Sequence, residues 1–80
     1  MYQVRVMNST SQGKTKVYAP TTTIADIMND PEVSGILVGA TFLFNTDIVT
    51  QTDLNKTLEE LGASADRTNT LSAIKAAVGA

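Results

Sequence analysis

Thr70-Leu71-Ser72-Ala73-Ile74-Lys75-Ala76-Ala77-Val78 admits two readings that lead to different molecules. Read as a helix, it is rich in alanine and puts Leu71, Ile74 and Val78 at helical spacing. Read as a strand, it alternates, with Leu71 and Ala73 on one face and Ser72 and Ile74 on the other. Periodicity alone does not separate the two for so short a segment. The elements that precede it have to supply the context.

The N-terminal elements read more plainly. Tyr2 to Met7 alternates Tyr2, Val4 and Val6 with Gln3, Arg5 and Met7, the period of a half-buried strand. The polar cluster Asn8-Ser9-Thr10-Ser11-Gln12-Gly13 reads as a hairpin loop, and Lys14 to Ala19 as the return strand. In that strand Thr15, Val17 and Ala19 alternate with Lys14, Lys16 and Tyr18, and Pro20 ends it because proline cannot donate to the ladder. With Thr22 or Thr23 as cap, Ile24-Ala25-Asp26-Ile27-Met28 forms a short helix with an apolar stripe at Ile24, Ile27 and Met28, stopped at Asn29-Asp30-Pro31. A helix this short needs a docking surface, which the hairpin's apolar face provides.

The middle of the chain continues in the same way. After Ile36-Leu37-Val38, set between Gly35 and Gly39, a buried strand is expected from about Ala40 to Phe44. Asn45-Thr46-Asp47 is turn chemistry, and Ile48-Val49 a very short strand. Thr52-Asp53 caps a second short helix, Asp53 to Leu61, with Leu54, Leu58 and Leu61 on one face and Gly62 as its stop. Lys56 and Glu60 stand at the spacing of a helical ion pair.

This order resembles the β-grasp fold of the ubiquitin-like proteins. Phe42-Leu43-Phe44-Asn45-Thr46-Asp47-Ile48 resembles the family's third strand, turn and short fourth strand. Thr52-Asp53-Leu54 to Leu61-Gly62 resembles its short helix, and Asn69-Thr70-Leu71-Ser72-Ala73-Ile74 its final strand. The resemblance implies an α+β fold, a single domain over residues 1–80, and a final strand lying in mid-sheet, parallel to Tyr2–Met7. The expected core is Val4, Val6, Val17, Ile24, Ile27, Met28, Phe42, Phe44, Ile48, Leu54, Leu58, Leu61 and Leu71.

Composition narrows the function. Eighty residues allow one small domain. The absence of Cys removes disulfides, thiolate zinc sites and thiol nucleophiles, and the absence of His removes the commonest general base and metal ligand. Neither a cofactor nor a metal is expected: the eight carboxylates show no calcium-loop spacing, and the serines and threonines have no partner base beyond lysines. No enzymatic activity is expected. A pI near 4.7 argues against a nucleic-acid partner. No apolar run approaches a bilayer span, and the polar start is unlike a signal peptide, so a cytoplasmic, membrane-free protein is expected. Asn8 to Thr15 ends in Gly-Lys-Thr like a phosphate-binding loop, but Asn8 stands where that motif has its first glycine and Lys14 opens a strand, not a helix.

A protein partner is the remaining expectation. Residues 1–20 carry net charge +3, residues 21–66 carry −7, and Arg67 and Lys75 return +2. On the β-grasp pattern, Arg5, Lys14, Lys16 and Tyr18 would lie on the outer sheet face with Leu43 and Ile74. That places an apolar spot beside a basic stripe with an aromatic edge, on the surface through which ubiquitin-like proteins commonly bind. The opposed charge regions also permit self-association. Two other expectations stand beside this one. A ubiquitin or sulfur-carrier protein would end in an exposed Gly-Gly, whereas this chain ends Val78-Gly79-Ala80. A small phage or mobile-element protein would supply a structural or inhibitory contact.

Overall fold

In a computed structural model, which describes residues 1–10, 12–39 and 41–74, five strands, one short helix and a 3-10 turn follow one another in a small α+β arrangement. The strands are β1 (Tyr2–Asn8), β2 (Gly13–Tyr18), β3 (Thr41–Phe44), β4 (Asp47–Ile48) and β5 (Asn69–Ile74), with helix α1 (Ile24–Met28) between β2 and β3. They form one mixed sheet in the order β2-β1-β5-β3-β4. β5 is therefore a strand and fills the centre, parallel to β1 and antiparallel to β3. The expected continuation of this segment through Val78, the Gly79-Ala80 ending, Ser11 of the first loop and Ala40 at the start of the third strand lie outside the described residues.

Local chemistry accounts for each element. Thr23 caps α1 reciprocally: its Oγ1 accepts from the Asp26 N–H at 3.1 Å, and the Asp26 carboxylate accepts from the Thr23 N–H at 3.0 Å. Those bonds hold the Asp26 pKa below its usual value. The β1–β2 loop is organised by Asn8, whose Oδ1 accepts from the N–H groups of Thr10 and Gln12. Lys14 stands in β2, in an antiparallel hairpin with β1, which is not the geometry of a phosphate-cradling loop. β3 and β4 are joined by Asn45 and Thr46, both at positive φ (48° and 76°), as a two-residue hairpin turn requires.

The second helix departs from expectation. A 3-10 turn covers Thr52–Asn55, and a separate single helical turn follows it. Thr57 and Glu60 cap that turn reciprocally. Gly62, at φ +75°, ends it with bonds from its own N–H to Glu59 O and from Ala63 N–H to Leu58 O. Because Thr57 competes as a cap, the chain breaks into two short pieces. Lys56 then pairs with Asp53 at 3.0 Å and leaves Glu60 to the cap.

α1, the 57–62 turn and the 33–37 segment cover one face of the sheet. Val4, Val6, Tyr18, Ile24, Ile27, Val33, Leu37, Phe44, Leu58, Leu71 and Ala73 are buried there, with Met28, Phe42, Leu54 and Leu61 packed partly buried against them. Two expected core residues fall elsewhere. Val17 is 51% exposed and Ile48 65% exposed, because each pairs with an outward-facing neighbour, Gln3 and Leu43 respectively. Gly39 passes so close to β5 that a Cβ there would meet Ile74 O at 2.8 Å, which admits no side chain.

The buried polar group Asn69 ties these parts together. Its Nδ2 donates to Gln3 O (3.1 Å) and Ser64 O (2.9 Å), and its Oδ1 accepts from Ser64 N–H (2.7 Å) and Asn45 Nδ2 (2.9 Å). All four hydrogen-bonding positions of the amide are used, as burial demands. The start of β1, the segment before β5 and the β3–β4 turn are thereby held in one register.

Candidate functional site

The pairing register fixes which side chains share the face of the sheet that no described element covers, because directly opposed residues project to the same side. Arg5 stands between Thr15 on β2 and Thr70 on β5, and Leu43 between Ser72 on β5 and Ile48 on β4. Ile74 lies opposite Thr41. Arg5, Leu43 and Ile74 thus share the outer face with Met7, Val17 and Ile48, the Arg5 guanidinium lying over Gly13 of β2. Leu43 is half-buried, while Val17, Ile48 and Ile74 are exposed. The register places no carboxylate among these residues.

Lys14, Lys16 and Tyr18 do not belong to that face. Val6 pairs with Lys14, Val4 with Lys16 and Tyr2 with Tyr18, so all three point to the helix side. Side-chain chemistry explains the reversal. At this edge strand the Tyr18 ring closes the core, and its hydroxyl donates to Asp30 Oδ2 at 3.0 Å. Lys16 reaches the same carboxylate at 2.6 Å and also pairs with Glu32, while Lys14 meets Glu32 at 3.4 Å. Lysine stems can run along the core margin and keep their ammonium groups wet. Inward charges on an edge strand also discourage sheet-to-sheet pairing.

This clasp perturbs its members strongly. The hydrogen bond from Lys16, helped by the Glu32 N–H, holds the Asp30 pKa down to about 2. Burial and then the bond to Asp30 push Tyr18 up to about 12. Lys16 is raised by Asp30 and then by Glu32. The three groups join β2 to the chain beyond α1, and their ionic bonds are internal.

A cleft of about 540 Å³ opens at the far side of the outer face. Leu43, Thr70 and Ser72 line it from the sheet, Asn45 and Thr46 from the β3–β4 turn, and Gly62, Ser64, Arg67, Thr68 and Asn69 from the segment leading into β5. In the sequence Arg67 stands out only as a charge. The folding of residues 62–68 against the turn gives it a place here, and no local motif announces that. Among the described residues no group of three or more carboxylates could hold a metal ion. No helix among them is long and apolar enough to cross a membrane. Comparison with protein-family models, curated proteins and solved structures finds no match to the chain.

Proposed function

We propose that the chain is a non-enzymatic protein-interaction module of the ubiquitin-like, β-grasp kind, which holds a protein partner on its outer sheet face. One observation carries this reading: on the side of the sheet that no described element covers, Leu43, Ile48 and Ile74 sit on neighbouring strands, with no carboxylate in the register. Single exposed apolar residues are ordinary. Three of them gathered across adjacent strands, ringed by the hydroxyls of Thr41, Thr70 and Ser72, have the composition of an interface centre with a polar rim. The β-grasp part is supported by the strand order and by the parallel pairing of first and last strands at the sheet's centre. The non-enzymatic part rests on the sequence, which has neither His nor Cys.

The testing experiment changes Leu43→Asp together with Ile74→Asp and compares partner capture from an extract of the source cells with that of the unaltered chain. Both side chains project away from the core, so the circular dichroism spectrum stays the same while capture is lost. Undiminished capture by the double variant would remove this face from consideration.

A further inference from the structure

The cleft at the edge of the outer face differs in chemistry from the apolar patch beside it. Five cationic side chains lie among the described residues: Arg5, Lys14, Lys16, Lys56 and Arg67. The three lysines each pair with a carboxylate, whereas neither arginine has a carboxylate within 4.0 Å among the described residues. Arg67 lines the cleft, and no acidic residue does; the neighbouring Asp66 is exposed and not part of its wall.

The cleft's amides are already engaged. Asn69 uses all its positions, and Asn45 donates to Asn69 and accepts from the Thr70 N–H at 2.8 Å. The Thr68 hydroxyl donates to Gln3 Oε1. These bonds fix the walls. The groups left to meet a ligand are the Arg67 guanidinium and the hydroxyls of Thr46, Ser64, Thr70 and Ser72. A planar charged donor beside neutral hydroxyls suits a carboxylate, which can accept from both.

We infer that this cleft receives an aspartate or glutamate side chain of the protein partner, held by Arg67, while apolar residues of the same partner segment lie across Leu43 and Ile48. The inference rests on the docking face proposed above and names the partner's chemistry: an acidic residue flanked by apolar ones. Charge complementarity favours that occupant, since the cleft wall carries the Arg67 cation and neither it nor the adjoining outer register carries an acid.

The test is an NMR titration of the ¹⁵N-labelled chain with N-acetyl-Leu-Asp-Leu-amide, with its Leu-Asn-Leu counterpart and with inorganic phosphate. The acidic peptide should shift the amides of Thr46, Ser64, Arg67 and Thr70 saturably, with a Kd of about 1–10 mM. Binding should weaken about tenfold with the Asn peptide, and again with the acidic peptide on the exposed-site variant Arg67→Gln. Equal binding of the two peptides, unchanged binding by Arg67→Gln, or no saturable shift by about 50 mM would overturn the inference. So would phosphate shifting the same amides as strongly as the peptide, which marks a general anion site, or concentration-dependent shifts without peptide, which mark a second copy as occupant. Partner capture separates the two readings. If the Leu43→Asp, Ile74→Asp variant loses capture while Arg67→Gln keeps it, the face stands and the acidic subsite falls. If the peptide binds at Arg67 but the double variant still captures its partner, the face falls and the subsite stands.

Discussion

The two faces of the sheet follow opposite rules. On the helix side, alternate residues of β1 and β5 (Val4, Val6, Leu71 and Ala73) are buried, and even the polar Asn69 is sealed in with every bond satisfied. On the other side the intervening residues, Arg5, Met7, Thr70, Ser72 and Ile74, face outward without an element of the described chain covering them. The difference teaches that the stability of this small domain resides on one side of its sheet. The other side is free to vary in chemistry and to meet a partner.

Substitutions on the two faces should therefore differ sharply. Leu71→Ala or Ile27→Ala, at sites with no exposure, should cost about 2–5 kcal/mol in urea denaturation, enough to unfold much of so small a domain. Ile74→Ala, one pleat-step from the buried set, should change stability by no more than about 0.5 kcal/mol. Comparable losses at both sites would erase the distinction. Asn69→Ala should cost about 3 kcal/mol, because it strands partners on Gln3, Ser64 and Asn45 at once.

The clasp at the β2 edge gives the packed side a pH signature. Asp30 has a lowered folded pKa, so its contribution is complete above the unfolded value near 4 and is lost as pH falls toward about 2. Tyr18 has a raised pKa, so its contribution is complete below about 10 and is lost as pH rises through about 12. Melting temperatures measured across pH should fall at both limits. Asp30→Asn should flatten the acid limb, and Tyr18→Phe the alkaline one. A further effect concerns the turn beside the cleft: Thr46→Gly should stabilise the fold by about 1 kcal/mol by relieving the positive φ, readable in the denaturation midpoint.

Much of the architecture was legible because its signals are local. Thr23 with Asp26 announces α1 and Asn45-Thr46 the tight turn; the alternation from Leu71 to Ile74 fits a helix as well, and only the ubiquitin-like order of elements makes it a strand at mid-sheet. The orientation of β2 was not legible. Hydropathy turns Val17 inward, but the decisive partners of Lys16 and Tyr18 are Asp30 and Glu32, which only the folded chain brings alongside. Val33 and Leu37 are buried with Ile36 beside them at i, i+3, i+4 spacing, in helical turns too short to stand out in the sequence, and Ile48 is exposed because its short strand follows the register of Leu43. In the candidate site, the alternation of β1, β3 and β5 suffices to locate Arg5, Leu43 and Ile74. Arg67 depends on how residues 62–68 fold back on the turn, for which the sequence offers only a glycine. The 53–61 helix was misjudged for a readable reason: the Thr57 and Glu60 pair is itself a capping signature.

Solvent relaxation by a soluble paramagnetic probe, read at the methyl groups of the dilute chain, tests the central claim most directly. The account predicts strong broadening at Val17, Ile48 and Ile74 and little at Val6, Ile24, Ile27, Leu58 and Leu71. Protection of Ile48 and Ile74 to the level of Leu71 would mean that the outer side is already covered, and would contradict the proposal that it waits for a partner.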